Sequence, residues 1–283
     1  MDYRSLTPSF RGWFRGTLRR FIQVEAPLLA ASLSHFGTLA IVPFLMVGAG
    51  LMESVPTEGA QQITELGTTE AYESFARPVR AFLPFIESEM AEEVRTVVRG
   101  NAWKGVVGYL ALFITASLFG WGLLRVHCRI FRYESGKKFV AERIQVFVFL
   151  FASLLMAGLS SLLWHGLDSM LEGWLRDSVF STTVLALGFV VSIKWFGRGR
   201  ILWWPVLIGT LLFCVAWQGA MLIFSNYVES RSFYATYGTL GGVACVMAWL
   251  YYASIVYLFS ACLIAELSAD GGTHGVEDAG PNG

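Results

Sequence analysis

Charge is what this sequence has least of. Only 15% of its 283 residues are Asp, Glu, Lys or Arg and 55% are hydrophobic, where a soluble domain carries ~25% charged residues. A mean hydropathy of +0.55 agrees. One uncharged run could be a core helix; several together exclude an ordinary soluble domain. Cysteine is scarce as well. Cys128, Cys214, Cys245 and Cys262 lie in or beside apolar runs, and no two have metal-ligand spacing. They read as small buried hydrophobes. G-x-S-x-G, H-E-x-x-H, P-loop and G-x-G-x-x-G signatures are all missing, so nothing points to an enzyme and no cofactor or metal is expected. The net charge is zero, and there is no RNA-binding module or acidic metal cluster, so nucleic acid is not an expected partner. The first 25 residues hold Arg4, Arg11, Arg15, Arg19 and Arg20. They lack the short apolar core and cleavage site of a signal peptide, so the first apolar run is expected to stay as a span.

What is abundant is apolar length. A helix needs ~20 mainly apolar residues to cross a bilayer. Stretches free of Asp, Glu, Lys and Arg cover 26–52, 105–124, 144–167, 178–193, 201–228 and 232–265, the fourth extended past Lys194 by Trp195 and Phe196. The prediction is an all-α polytopic membrane helix bundle of about six spans, occupying residues 26–267. Fourteen Lys and Arg fall on one side: the five N-terminal arginines, then Arg125, Arg129, Arg132, Lys137, Lys138 and Arg143, then Lys194, Arg198 and Arg200. Seven fall on the other, five of them in one long loop. The positive-inside bias then places both termini in the cytoplasm.

Residues 10–22, FRGWFRGTLRRFI, set Phe10, Trp13, Phe14, Leu18, Phe21 and Ile22 on one broad helical face with arginines flanking it. Residues 1–25 are therefore expected to form a cytoplasmic, interfacial amphipathic segment beside anionic headgroups. Residues 53–103 form the one large exterior loop. Ile86, Met90, Val94 and Val97 recur at helical spacing behind a run of glutamates, which predicts short capping helices. Residues 268–283 are Gly-rich and acidic, composition expected of a disordered cytoplasmic tail.

Ionisable groups inside spans are the usual pointers to a transport path. His35 in the first span and His165 in the third are the histidines placed so. Each reads first as a histidine satisfied by a neighbouring helix. His35 is the stronger candidate because Pro43 shares its span, and a proline frees a carbonyl where a cavity can open. Arg125, His127, Arg129 and Arg132 end the second span. They read either as snorkelling residues or as a basic pocket for a phosphorylated lipid headgroup. Glu266 ends the sixth span and is a candidate partner for one of them. Tyr237 and Gly238 stand at the mouth of that span, where Gly238 and Gly242 have the small-xxx-small spacing of close helix packing. Pro205 and Gly209 allow a bend in the fifth span.

AASLSHFGTLAIVPFLM resembles the first-span signature of the YihY/BrkB family, once labelled ribonuclease BN. YGTLGGVACVMAWLYYASIVYLFSACLIAEL is similar to its final span, and WWPVLIGTLLFCVAWQGAMLIFSNYV to its fifth. The resemblance runs from about residue 10 to residue 267. It implies a bacterial inner-membrane protein of six spans, linked to transport of envelope lipids or lipopolysaccharide precursors and not to RNA cleavage. His35 stands where the family commonly has tyrosine, and His127 near a usual asparagine. The family's Gly-Ala-Glu-Leu-Asn near the end of the sixth span is set against Ser260–Ile264, which would lose its acid and amide. The leading expectation is a transporter or flippase of an anionic amphiphile, with His35, Pro43, Arg125, His127, Arg129, Tyr237 and Gly238 along its path. The alternative is a non-transport scaffold of an envelope-assembly complex, docking an envelope protein through residues 53–103. Anionic membrane lipids are the expected partners, and a homo-oligomer is compatible with either.

Overall fold

The computed structural model describes residues 10–53, 102–133, 141–149, 152, 173–197, 201–229 and 239–277. The exterior loop, most of the third predicted span, His165, Tyr237 and Gly238 lie outside them. The described residues are helical throughout, and the helices are α1 (Phe10–Gln23), α2 (Ala26–Glu53), α3 (Ala102–Ile130), α4 (Gly173–Phe196), α5 (Trp203–Glu229) and α6 (Thr239–Glu277). A further helical stretch covers 141–149. Within α3, α5 and α6, the segments Leu110–Ile130, Trp203–Phe224 and Ala244–Ala269 are long and apolar enough to cross a membrane, and Thr182–Phe196 is a shorter apolar helix. This is a membrane helix bundle.

Each helix boundary has a local cause. Glu25 takes a left-handed conformation with φ 55, and its N–H bonds the Ile22 carbonyl at 3.0 Å. That stops α1 and turns the chain into α2, at the small conformational cost a non-glycine residue bears there. Arg132 does the same after α3 with φ 52. The Tyr133 N–H then reaches back to the Cys128 carbonyl at 3.2 Å, the six-to-one bond of a Schellman cap. Pro205 sits in the first turn of α5, where a missing N–H leaves no intrahelical bond unmade. The charge-free run that marked the second span stops at Leu124, yet α3 continues two turns further, because long arginines are carried well at a helix end. α6 runs on to Glu277, into the stretch read from composition as a tail. A long helix propagates more readily than one nucleates, so its glycines do not end it at residue 268.

α6 is the central element, packed against α1, α2, α3 and α5. Trp249, Leu258, Ile264 and Leu267 of α6 are fully buried together with Ile130, Ile193, Phe196 and Val206 from three other helices. Rings form a continuous ladder through this core. Phe224 and Trp217 contact Trp249 at 5.1 and 5.3 Å, Phe213 follows at 5.7 Å from Trp217, and Phe189 stacks on Phe213 at 4.5 Å. Such offset and edge contacts add to what burial alone contributes. Gly209 lets α5 approach α6: a Cβ there would lie 2.2 Å from Ile264 Cγ1. Its use is close approach.

α1 has three sides. Thr17 and Val24 are buried against the bundle, while Phe14, Leu18 and Ile22 are 50%, 41% and 65% exposed. Arg15 and Arg19 are exposed beside that apolar stripe. A helix docked on one side, apolar on the second and basic on the third suits the water–lipid boundary.

Candidate functional site

The two histidines set on the expected path, His35 of the first span and His127 of the rim, part company in the fold. His35 is on the outside of the bundle, with its ring 5.9 Å from Phe36 and no hydrogen-bond partner among the described residues. Pro43 lies within α2, which continues through it. His127 is fully buried, at the end of a polar chain through the apolar core. Its Nδ1 is 2.8 Å from the Leu123 carbonyl, and its Nε2 is 3.1 Å from the Tyr257 hydroxyl. Tyr257 is 2.7 Å from Ser192 Oγ, which in turn donates to the Phe189 carbonyl at 2.7 Å. The chain ties α3, α6 and α4 together. A carbonyl only accepts, so Nδ1 carries a hydrogen. With a neutral ring, two hydroxyl hydrogens serve three contacts; a second ring hydrogen would fill all three, each group donating toward Phe189. The direction of the chain therefore follows the ring. Interhelical hydrogen bonds in membranes contribute ~1 kcal/mol each, so Tyr257→Phe is expected to lower stability by about that amount in thermal unfolding of the detergent-solubilised chain, and Ser192→Ala similarly. Unchanged melting in both would show that the chain does not hold these helices.

The basic rim is mostly engaged internally. Arg129 donates to Glu25 at 2.8 Å and Arg132 to Gln23 at 3.0 Å. Arg20 donates to Glu266 at 3.0 Å and to the Ile130 carbonyl at 3.1 Å, so one side chain clamps α1, α6 and the end of α3. Gly16 gives Glu266 its room, since a Cβ there would sit 2.4 Å from Oε1. The partner of Glu266 is thus Arg20, one of the N-terminal arginines, and not one from the end of α3. Ala265–Glu266–Leu267 also reproduces the Ala-Glu-Leu of the motif set against Ser260–Ile264 above. The acid is retained, four positions later, and Ser268 stands where the amide would be.

Arg125 differs from its neighbours. Ser117, Trp121 and Arg125 recur every four residues along one face of α3, opposite the stretch 141–149. The guanidinium carbons of Arg125 and Arg143 lie 5.0 and 5.6 Å from the Trp121 ring centre. Arg143 also donates to Ser117 Oγ at 2.9 Å. The nearest acid to Arg125 is buried Glu142, at 3.7 Å.

A shallow, open groove of about 490 Å³ lies between α4 and α5, lined by Thr182, Thr183, Ala186, Leu187, Val190, Cys214 and Gln218. Gln218 donates its amide to Thr182 Oγ1. Neither Arg125 nor Arg129 lines this groove. Sequence reading missed Tyr257, Ser192 and the groove, because nothing local distinguishes a lining residue from any other residue of an apolar helix. The four-residue spacing of Ser117, Trp121 and Arg125 was the one available signal.

Comparison with known proteins follows from this fold. The family profile described as Virulence factor BrkB matches residues 17–280. The chain is similar to a UPF0761 membrane protein of Rhodospirillum centenum, at 23% identity over 92% of this chain and 58% of the relative. A UPF0761 membrane protein of a Janthinobacterium species is 21% identical over 94% of this chain and 62% of its own. One from Pseudomonas aeruginosa is 23% identical over 88% and 61%. The chain thus spans about three-fifths of the length of the curated relatives it matches. No solved structure matches it.

Proposed function

We propose, from the premise that this chain belongs to the Virulence factor BrkB family, that it binds an anionic amphiphile and carries it across the bacterial inner membrane as a multi-pass protein. A phospholipid or a lipopolysaccharide precursor is the substrate class. The observation that carries this reading is the shallow, open groove between α4 and α5, which lies beside a strongly apolar face. Leu211, Val215 and Leu222 are 68%, 65% and 68% exposed on the neighbouring face of α5. That flank belongs in hydrocarbon, so what enters the groove arrives from the bilayer. Thr182 and Gln218 supply a polar foothold on an otherwise apolar wall, as an ester or glycerol region requires. The basic end of α3 supports the cytoplasmic placement of that rim.

The test is lipid movement in proteoliposomes. The chain is expected to accelerate exchange of a labelled anionic lipid between leaflets. Ala186→Trp, which fills the groove, is expected to return the rate to that of protein-free vesicles. No acceleration by the unmodified chain, under any imposed gradient, would defeat the reading.

The ring ladder favours a second reading. An interior packed with Trp217, Phe224 and Trp249 suits a rigid scaffold of an envelope-assembly complex, docking its partner through residues 53–103. Deletion of that loop would then abolish partner capture with the bundle intact, and an unchanged partner set would reject the scaffold.

A further inference from the structure

We propose that Trp121 and Arg125, with Arg143 beside them, form a seat for the phosphate of an anionic lipid headgroup at the basic end of α3. The arginines of this rim differ in what their donors do. Arg20, Arg129 and Arg132 all donate to acceptors within the fold at 2.8–3.1 Å. Arg125 makes no hydrogen bond in the described structure. Its one acidic neighbour, Glu142, stands at 3.7 Å, beyond the reach of a hydrogen bond. Its side chain is 54% exposed, whereas that of Glu142 is only 6% exposed. Arg125 is thus ion-paired with Glu142 without a hydrogen bond, and its exposed fork keeps N–H groups open to an acceptor at the surface.

A second donor lies against it. Trp121 Nε1 is buried and has no hydrogen-bond partner. Buried N–H groups without partners are rare; among the described residues Trp13 Nε1 of α1 is the other indole in this state. The Trp121 ring is the surface on which Arg125 stacks at 5.0 Å and Arg143 at 5.6 Å, so two guanidinium groups are brought to one indole. Cation–π contact orients Arg125 without using its N–H groups, while Arg143 is also held by its bond to Ser117. A phosphodiester is the complementary chemistry: a single negative charge with several acceptor oxygens, able to take paired N–H bonds from Arg125 and one from the indole. The height fits as well. Arg125 is five residues before the end of the apolar window Leu110–Ile130, at the level where tryptophans and arginines meet headgroups.

This seat rests on the reading that the rim meets an anionic amphiphile, but it is tested by binding alone. The full chain in detergent would be titrated with short-chain phosphatidylglycerol, phosphatidylcholine or soluble glycerophosphate, and retained lipid counted by native mass spectrometry. The expected result is a preference for phosphatidylglycerol that falls about tenfold in Arg125→Gln, the worth of one charge-assisted pair. Trp121→Phe keeps an aromatic face, smaller than the indole, and removes the N–H, so a drop of about threefold is expected, near the lower end of a hydrogen bond. Arg129→Gln, whose parent side chain is already held by Glu25, should leave the preference unchanged. Each variant is checked by its melting curve, and Trp121→Phe stands in if Arg125→Gln does not fold. Equal retention of both lipids by the unmodified chain would overturn the seat, as would an equal loss in Arg129→Gln. Displacement of the lipid by glycerophosphate at matched concentration would overturn the lipid source. A preference that depends on Arg125 in a chain that moves no lipid in liposomes would uphold the seat and reject the carrier.

Discussion

Gly209→Leu is expected to cost about 3 kcal/mol or more, at or above the upper range for overpacked cores, and to lower the melting temperature of the detergent-solubilised chain by several degrees. The reason is geometric. A Cβ at this position already lies 2.2 Å from Ile264 Cγ1, 2.6 Å from its Cδ1 and 3.3 Å from the Ser260 carbonyl. Ile264 is completely buried and has nowhere to go. Without lipid-free apolar surface to drive them together, membrane helices associate through this kind of close packing. Gly209→Ala is expected to be milder, because a gain of ~1 kcal/mol in helix propensity partly offsets the clash. The decisive measurement is a double-mutant cycle. Ile264→Ala alone leaves a cavity and should cost ~2–5 kcal/mol, but combined with Gly209→Leu it should give back at least ~1 kcal/mol of coupling. Strict additivity would show that the two residues do not meet.

Glu266→Ala is expected to undock α1. Arg20 and Glu266 are 12% and 25% exposed at the side chain and 3.0 Å apart. Removing one member of a fully buried pair costs ~3–5 kcal/mol, chiefly through the charge left behind. With Glu266 a quarter exposed, water compensates part of that, and about 2 kcal/mol is the expected loss. The Ile130 carbonyl bond keeps Arg20 partly satisfied but cannot neutralise it. The direct readout is limited proteolysis: trypsin should cut faster after Arg15 and Arg19 in Glu266→Ala, and Glu266→Gln should fall between it and the unmodified chain. Unaltered cleavage would mean that Phe14 and Phe21, 6.2 and 5.7 Å from Phe259, hold α1 unaided.

Much of this fold was readable because charge is avoided in hydrocarbon. The run 26–52 became α2, 201–228 became α5, and the amphipathic pattern of residues 10–22 became α1, each within a residue or two. What could not be read is rotation about the helix axis. A helix that is apolar all round gives no stripe to show which side faces its neighbours. His35 was read as the histidine inside a span and His127 as part of the rim, yet it is His127 that is buried. The same blindness hid the Tyr257 chain and the groove. The partner of Glu266 was hidden for a different reason: local patterns reach three or four residues, and Arg20 lies 246 positions away. For the rim arginines, sequence supplied the cluster but not its division of labour, which depends on which acceptors the folded chain brings within reach.

The clamp between the first helix and the last also sets a schedule for biogenesis. Arg20 emerges from the ribosome 246 residues before Glu266, an interval on the order of tens of seconds at ~5–20 residues per second. Throughout that time the guanidinium has no carboxylate to meet. The bond of Arg20 to the Ile130 carbonyl can form much earlier than its pairing with Glu266. The clamp is therefore completed only once the sixth helix has been made, and a chain truncated before Glu266 would have to hold α1 through that carbonyl bond and through Phe14 and Phe21 on Phe259.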